Sequence, residues 1–229
     1  MGTRVPAPAI EHARLVVILA TIAISVGGVV LFAGVPGSDW RTGLALNLIE
    51  NALLVAFSIR CHDRLIPQLM LFGLAVGVAE LPADAWLVAS TGTLDYSLGG
   101  GPMIWRSPTW MPLAWEMVAV QLGYLGVRLR EWRGWWGLLL TGLIGAVNIP
   151  FYEEMALRDH WWRYANCRML LHTPYYIIVG EFLIAVAIGV LARSTRSGRW
   201  SRSLAAGVLA GLATFPCYAV GFWATEGRW

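Results

Sequence analysis

The side chains of this chain with the clearest chemical potential are acids that lie inside long apolar runs. Glu80 and Asp84 are four residues apart, so they share one face of a helix, and they flank Pro82. Glu50 and Glu116 lie in two other apolar stretches. Burying one carboxylate in a membrane costs roughly 2.5–3.5 kcal/mol, so each such acid calls for a function. We predict that these four acids are catalytic and act as proton donors.

Aromatic and amide side chains accompany the acids along the sequence. Trp86 follows Asp84 by two residues, and Trp115 directly precedes Glu116. Apolar surroundings favour the neutral form of a carboxylic acid, which can then protonate an alkene or epoxide. Indole and phenol faces stabilise the resulting cation. We therefore predict a substrate-binding set that consists of Trp86, Trp115, Tyr152, Tyr176, Asn47, Asn51, Glu154 and Glu181.

The composition places these residues in a membrane protein. The 229 residues are 57% hydrophobic and only 14% charged, whereas soluble domains are about 25% charged. All 17 basic residues are arginine, so a Schiff-base lysine and a phosphate-loop lysine are both excluded. The arginines are dispersed between apolar runs, which argues against nucleic acid as a partner despite the net charge of +3. The lipid bilayer is the expected surrounding.

Seven stretches are long and apolar enough to cross, or nearly cross, about 30 Å of hydrocarbon. Backbone groups cannot stay unpaired in lipid, so we expect helices. The predicted fold is an all-α integral membrane protein, one seven-helix domain over residues 1–229. Its helices are expected at about 15–34, 43–59, 65–89, 112–128, 135–152, 170–192 and 203–224.

The arginines also predict an orientation. Eleven of them, including Arg4, fall on the side of the N-terminus, and six, including Arg228, fall on the other side. Because cytoplasmic loops are enriched in basic residues, we place the N-terminus in the cytoplasm and the C-terminus outside. With alternating helix directions, the acids within the helices then all fall in the outer half of the bundle.

Two further features bear on assembly and access. Gly73 and Gly77, like Gly207 and Gly211, have the spacing that lets helices approach closely, either within one bundle or in a homodimer. The loop 90–111 is long, apolar and aromatic, and we expect it to lie back over the bundle as a lid.

Two short motifs resemble membrane cyclases. The segment Ala114-Trp115-Glu116 is similar to the Ala-Trp-Glu element of integral-membrane terpene cyclases from meroterpenoid and indole-terpenoid pathways. Those proteins are seven-helix bundles in which a glutamate is implicated in substrate protonation, and the resemblance implies that role for Glu116. Here the motif opens the fourth helix, and the asparagine that precedes it in that family is absent. The segment 150–154 resembles the Pro-x-Glu-Glu element of small membrane lycopene cyclases, with one extra residue.

The leading hypothesis is therefore a cyclase that acts on a lipophilic isoprenoid or terpene substrate and needs no metal or organic cofactor. Three alternatives stay open at this point. A carboxylate-histidine metal site would draw on Glu80, Asp84, Glu116, Glu154, His160, His172 and Glu181. A cation or proton transporter would use the acids as an ion path. A non-catalytic membrane subunit would pair its acids with arginines such as Arg106, Arg158, Arg163 and Arg168.

Overall fold

A computed structural model describes residues 7–227 and is 77% helical, in agreement with the predicted all-α class. Arg4 and Arg228, which enter the predicted orientation, lie outside the described residues. The helices are α1 (Ala7–Phe32), α2 (Trp40–Arg60), α3 (Leu65–Ala79), α4 (Leu81–Trp86), α5 (Met111–Arg133), α6 (Trp135–Arg158), α7 (Tyr175–Leu191) and α8 (Trp200–Glu226). A π-helical turn, Leu87–Thr91, continues α4, and a 3₁₀ segment, Ala192–Ser197, continues α7.

The number of helices long and apolar enough to cross a membrane is six in the described part of the chain, and not the predicted seven. These spans are Ala9–Phe32, Trp40–Arg60, Leu65–Thr91, Trp135–Arg158, Tyr175–Ser197 and Trp200–Glu226. The remaining predicted stretch, 112–128, does form a helix, α5, but Glu116, Gln121 and Arg128 reduce its hydropathy. This composition fits a helical membrane protein.

One predicted span, 65–89, is a broken helix. The α3 helix ends at Ala79, and α4 begins at Leu81, after one intervening residue, Glu80; Pro82 lies in its first turn. Proline has no backbone N–H and disturbs the preceding helical turn. The break lies at Glu80, whose carbonyl accepts a hydrogen bond from the Ala83 amide. The predicted acid pair therefore sits at a helix joint.

The loops at one end of the bundle form a folded cap. Residues Leu94–Asp95 (β1) pair with Arg163–Tyr164 (β4), which joins the loop after the π-turn to the loop after α6. Two hairpins complete the cap: Met103–Ile104 (β2) with Ser107–Pro108 (β3), and Met169–Leu170 (β5) with Thr173–Pro174 (β6). The last hairpin explains why the helix predicted from residue 170 begins only at Tyr175.

The four paired glycines pack helices of this chain against one another. A Cβ on Gly73 would lie 2.6 Å from the Glu116 carbonyl oxygen, and one on Gly77 would lie 2.1 Å from that of Pro112. Gly207 and Gly211 bring α8 equally close to the backbone of α3. All four glycines thus serve packing within one bundle.

Candidate functional site

A cavity of about 240 Å³ lies between the α1–α2 pair and helices α5 and α6, and the cap covers one of its ends. Most of its wall is aliphatic, contributed by residues such as Ile22, Val26, Leu122 and Ile149. Four carboxyl groups reach it: Glu50, Asp84, Glu153 and Glu181. Its aromatic lining consists of Tyr96, Trp110, Trp115, Tyr152, Trp161, Trp162, Tyr164 and Tyr218.

Asp84 is held at the cavity wall by two donors from the cap. The Tyr96 hydroxyl donates to Oδ2 of Asp84 over 2.6 Å, and the Ser107 hydroxyl donates to the same oxygen over 2.8 Å. Both hydrogen bonds therefore fall on one oxygen, and Oδ1 is the oxygen that can carry a proton. The Asp84 residue is only 5% exposed, so water has little access to it.

Glu153 and Glu181 approach Asp84 from α6 and α7. The Trp162 indole N–H and the Tyr164 hydroxyl both donate to Glu153. The Tyr218 hydroxyl donates to Glu181 over 2.6 Å. Glu153 interacts electrostatically with both Glu181 and Asp84, so the three carboxyls form one group.

Glu80 completes this group without lining the cavity. Its residue is fully buried, and neither carboxyl oxygen has a hydrogen-bond partner among the described residues. It interacts electrostatically with Asp84 and Glu181. We call Glu80, Asp84, Glu153 and Glu181 the carboxyl cluster.

A second polar group lies around Glu50 on α2. The Ser25 hydroxyl of α1 donates to Glu50, and the Gln121 amide of α5 donates to the Ser25 hydroxyl over 3.3 Å. The Tyr152 side chain lies beside Ser25 and Glu50 and interacts with both. The cavity thus has two separate carboxyl positions, Glu50 and the carboxyl cluster.

No acid of the cavity is paired with a cation in residues 7–227. The eight salt bridges found there involve other acids, such as Asp63 with Arg14 and Asp95 with Arg163. Glu154 differs from its neighbour Glu153, because it pairs with Arg158 and His172 at the surface. Charge neutralisation by arginine, expected for a purely structural subunit, does not account for the cavity acids.

The histidines do not join the acids. Within the described ranges, no group of three or more His, Cys, Asp or Glu side chains has the arrangement of a metal site. His172 is engaged by Glu154 at the surface, and His160 is exposed beyond the end of α6. The metal-site alternative therefore lacks a set of ligands in this structure.

The structure separates the predicted site residues into two sets. Six of them line the cavity: Glu50, Asp84, Asn47, Trp115, Tyr152 and Glu181. Six do not: Glu80, Glu116, Trp86, Tyr176, Asn51 and Glu154. Among the latter, Trp86 packs edge-on against Phe215 and Phe222 of α8, and the Tyr176 hydroxyl bonds with Thr93. Glu116 is buried against Gly73 of α3, with Asn51 nearby.

Glu153 is the main acid that the predicted site omits. Adjacent helical residues point about 100° apart, so only one of Glu153 and Glu154 can face the bundle. The sequence does contain a signal: Gly145 lies eight residues before Glu153 on the same face, and Arg158 lies four residues after Glu154 on the other. The first spacing indicates helix packing and the second a surface ion pair.

The cap closes the end of the cavity that holds the carboxyl cluster. The Trp110 indole donates to the Gly100 carbonyl, and the Trp161 indole donates to the Asp39 carbonyl at the start of α2. The two rings stack edge-on at 5.3 Å and are 2% and 5% exposed. The loop 90–111 therefore lies over the bundle, as expected for a lid.

Comparison with known proteins identifies a family but no described relative. No curated protein and no solved structure matches the chain. Residues 81–225, more than half of the chain, match the family described as "Domain of unknown function (DUF6989)". The matched region contains Asp84, Glu153 and Glu181, whereas α1 and α2 lie outside it. The chain belongs to this DUF6989 family.

Proposed function

We propose that this protein is a membrane-embedded isoprenoid or terpene cyclase that starts its reaction with a proton from a carboxyl group. The observation that carries the proposal is the cavity itself, in which acids without cationic partners face an aliphatic and aromatic wall. Carbocation chemistry needs an acid to start it, π-faces to stabilise the cation and an environment that excludes water. The residues of this cavity meet all three needs.

Asp84 is the proposed general acid. Its Oδ1–H bond breaks as the proton is transferred to the substrate. On an alkene a C–H bond forms at one carbon and the cation is left on the other; on an epoxide the oxygen takes the proton, its C–O bond breaks, and the cation is left on that carbon beside a new hydroxyl group. A second double bond of the substrate attacks the cation and closes a ring. A carboxylate then accepts a proton from the cyclised cation, and Glu50 and Glu153 are positioned on the cavity wall for this step. The product is an isomer of the substrate, so neither an oxidant nor a cofactor is needed.

The aromatic wall is the proposed path of the cation. Trp110, Trp161 and Trp162 form a contiguous cluster, with ring centroids 5.3–6.2 Å apart. Trp115 and Tyr152 extend it along the cavity. A cation within about 6 Å of an aromatic face gains about 2 kcal/mol or more when water is excluded.

We also propose that α5 crosses the bilayer with the six apolar helices, which gives seven crossings. It packs against α3, α6 and α7, and it runs from the cap to Glu131, which pairs with Arg196 beyond the far end of α7. A helix enclosed by others can contain Glu116 and Gln121 without exposing them to lipid. With the N-terminus in the cytoplasm, the cap and the carboxyl cluster lie in the outer half.

A transporter is less well supported by the cavity lining. An ion path needs polar groups on both sides of the binding site, as in transporters with access from either side. Away from the cap, the wall is mostly apolar, with Ile22, Leu122, Leu125 and Ile144, and the polar Gln121 amide there is engaged by α1. This lining favours a reaction chamber that is closed to water at its inner end.

The test is to incubate proteoliposomes with prenylated phenols, prenylated indoles or linear polyenes and to search for isomeric products. Unchanged mass with a new retention time indicates cyclisation. We expect Asp84→Asn to reduce the rate by about 10²–10⁴-fold, because it removes the proton donor. Glu153→Gln should reduce the rate as well, since it changes the charge of the carboxyl cluster.

Glu154→Gln is the matched control, because it makes the same chemical change one residue away at a surface ion pair. It should keep full activity. Equal activity of Asp84→Asn and the unmodified protein would refute the assignment of the acid. Proton or cation flux through the liposomes without any product would favour transport instead.

A further inference from the structure

The cap covers the cavity end that faces the aqueous side in the proposed orientation, so a substrate that enters there would have to pass through the cap. Trp110 and Trp161 are almost fully buried there, and the Trp40 amide donates to the Gly99 carbonyl, which fastens the cap to the start of α2. A substrate that is poorly soluble in water would have to pass this packed layer. The geometry of α6 offers another route.

Two residues of α6 line the cavity and are also exposed on the outside of the bundle. Ile144 is 37% exposed, and Asn148, one turn further along, is exposed as well. Val147, beside Asn148, is 69% exposed and does not line the cavity, so it marks the lipid-facing side of α6. The cavity therefore reaches the lipid-facing surface at Ile144 and Asn148.

The opposite edge of this opening belongs to α1. Nearer the cap, α1 and α6 approach each other at Ser25 and Tyr152, which both line the cavity. One turn away from the cap, Ile22 of α1 lines the cavity, and Leu122 and Leu125 of α5 form the wall behind it. The gap between α1 and α6 is thus bordered mainly by apolar side chains, and its polar ones are Ser25, Gln121 and Asn148.

Asn148 is chemically unusual at this position. No hydrogen bond joins its side-chain amide to another described residue, and an amide left unpaired in lipid is unfavourable. A polar side chain on a lipid-facing helix surface indicates a functional role. A ligand with a hydroxyl or carbonyl group would satisfy the amide as it passes.

We propose that the cavity is loaded sideways from the bilayer, through a gap between α1 and α6 at Ile144 and Asn148. The molecule that enters is a membrane-dissolved lipophile with one hydroxyl or carbonyl group, which the Asn148 amide binds at the gap. The identification of this molecule as the substrate rests on the proposed cyclase function. The gap itself does not, and it can be tested without turnover.

The probe is a small lipid-soluble photoreagent, an iodophenyl trifluoromethyl diazirine, added to the full chain in phosphatidylcholine vesicles. Illumination inserts its carbene into nearby side chains, and peptide mass spectrometry locates the label. Met117 lines the cavity and is only 3% exposed, so its labelling reports on probe inside the cavity. We expect Met117 to be labelled in the unmodified protein and several-fold less in Asn148→Trp, whose indole fills the gap.

Val147→Trp is the matched control, because it adds the same bulk one residue away on the lipid-facing side; it should leave Met117 labelling unchanged. Asn148→Leu keeps the gap open and should also retain the labelling, which separates blockage from misfolding. Equal Met117 labelling in Asn148→Trp and the unmodified protein would overturn the proposal. So would a lack of Met117 labelling in the unmodified protein while Val147 is labelled strongly. Correct labelling without any isomerised product would refute the cyclase and leave the gap intact.

Discussion

Gly77→Ala gives a direct test of how tightly α3 packs on α5. The added Cβ would lie 2.1 Å from the Pro112 carbonyl oxygen and 2.8 Å from the Pro112 Cα, whereas real Cβ atoms essentially never come closer than 3.0 Å. Both contacts are with backbone, which cannot move aside by changing rotamer. The two helices must therefore separate by about 1 Å at this point, which disturbs the packing around it.

The expected loss of stability follows from two opposing terms. Overpacking that forces backbone to shift costs about 1–3 kcal/mol, and a clash with helical backbone belongs at the upper end of that range. Alanine in place of glycine in a helix returns about 0.5–1 kcal/mol. The net loss is about 2 kcal/mol, which lowers the unfolding midpoint by about 4–8 °C for a chain of this size.

Gly27→Ala in α1 is the control, because a Cβ there meets nothing within 4 Å. The helix-propensity gain is then unopposed, and the midpoint should stay equal or rise by a few degrees. Both variants are measured by thermal scanning of tryptophan fluorescence in the same detergent. The two substitutions make the same chemical change, and only Gly77→Ala should lower the midpoint.

The reasoning fails if Gly77→Ala is as stable as Gly27→Ala. A second result would also contradict the packing argument. In it, Gly77→Ala leaves the stability of the monomer unchanged but abolishes a cross-linked dimer. That result would place Gly77 at a contact between two copies of the chain, the second possibility for such a glycine pair.

Two further predictions concern the cap. Burial raises the pKa of Asp159 to about 6 from 3.8, although Ser38 donates a hydrogen bond to it. Because the folded state holds this proton more tightly than the unfolded chain, the free energy of unfolding falls as the pH rises from about 4 through about 6. Thermal scans at a series of pH values should show this fall in the unmodified protein and not in Asp159→Asn. Gly101→Ala combines a φ of +86° with a Cβ 2.4 Å from the Trp40 ring, whereas Gly92→Ala has only a strained φ of +61°. Both substitutions should lower the stability of the folded cap by about 1–2 kcal/mol, because they place an alanine in a left-handed backbone conformation. The added clash should make the cap of Gly101→Ala more readily cleaved by protease than that of Gly92→Ala.

Much of the architecture could be predicted because hydrophobic runs of bilayer length leave the backbone no alternative to helices. The predicted centres of the spans fall inside the observed helices, from α1 to α8. The number of apolar spans is six rather than seven because Glu116, Gln121 and Arg128 lower the hydropathy of α5, a helix enclosed by others. Mean hydropathy cannot distinguish a helix shielded by its neighbours from one that is simply too polar for lipid.

The sequence alone also determined which residue types were available for chemistry: acids within apolar runs, many indoles and phenols, and no lysine. It could not determine which acids meet. Glu153 and Glu154 differ by one position, yet one lies on the cavity wall and the other forms a surface ion pair. Helix rotation decides this, and rotation is set by close contacts such as Gly145 against the Glu181 carbonyl oxygen.

The tertiary structure alone decided how the acids are distributed over the bundle. It joins Asp84, Glu153 and Glu181 from three helices, keeps Glu116 away from the cavity against α3, and brings Ser107 from the cap onto Asp84. These contacts connect residues far apart in the chain, and they depend on side-chain packing rather than on local pattern. Composition therefore indicated a membrane environment and supplied the chemical inventory, whereas the packing of helices and cap decided which of those groups share one cavity.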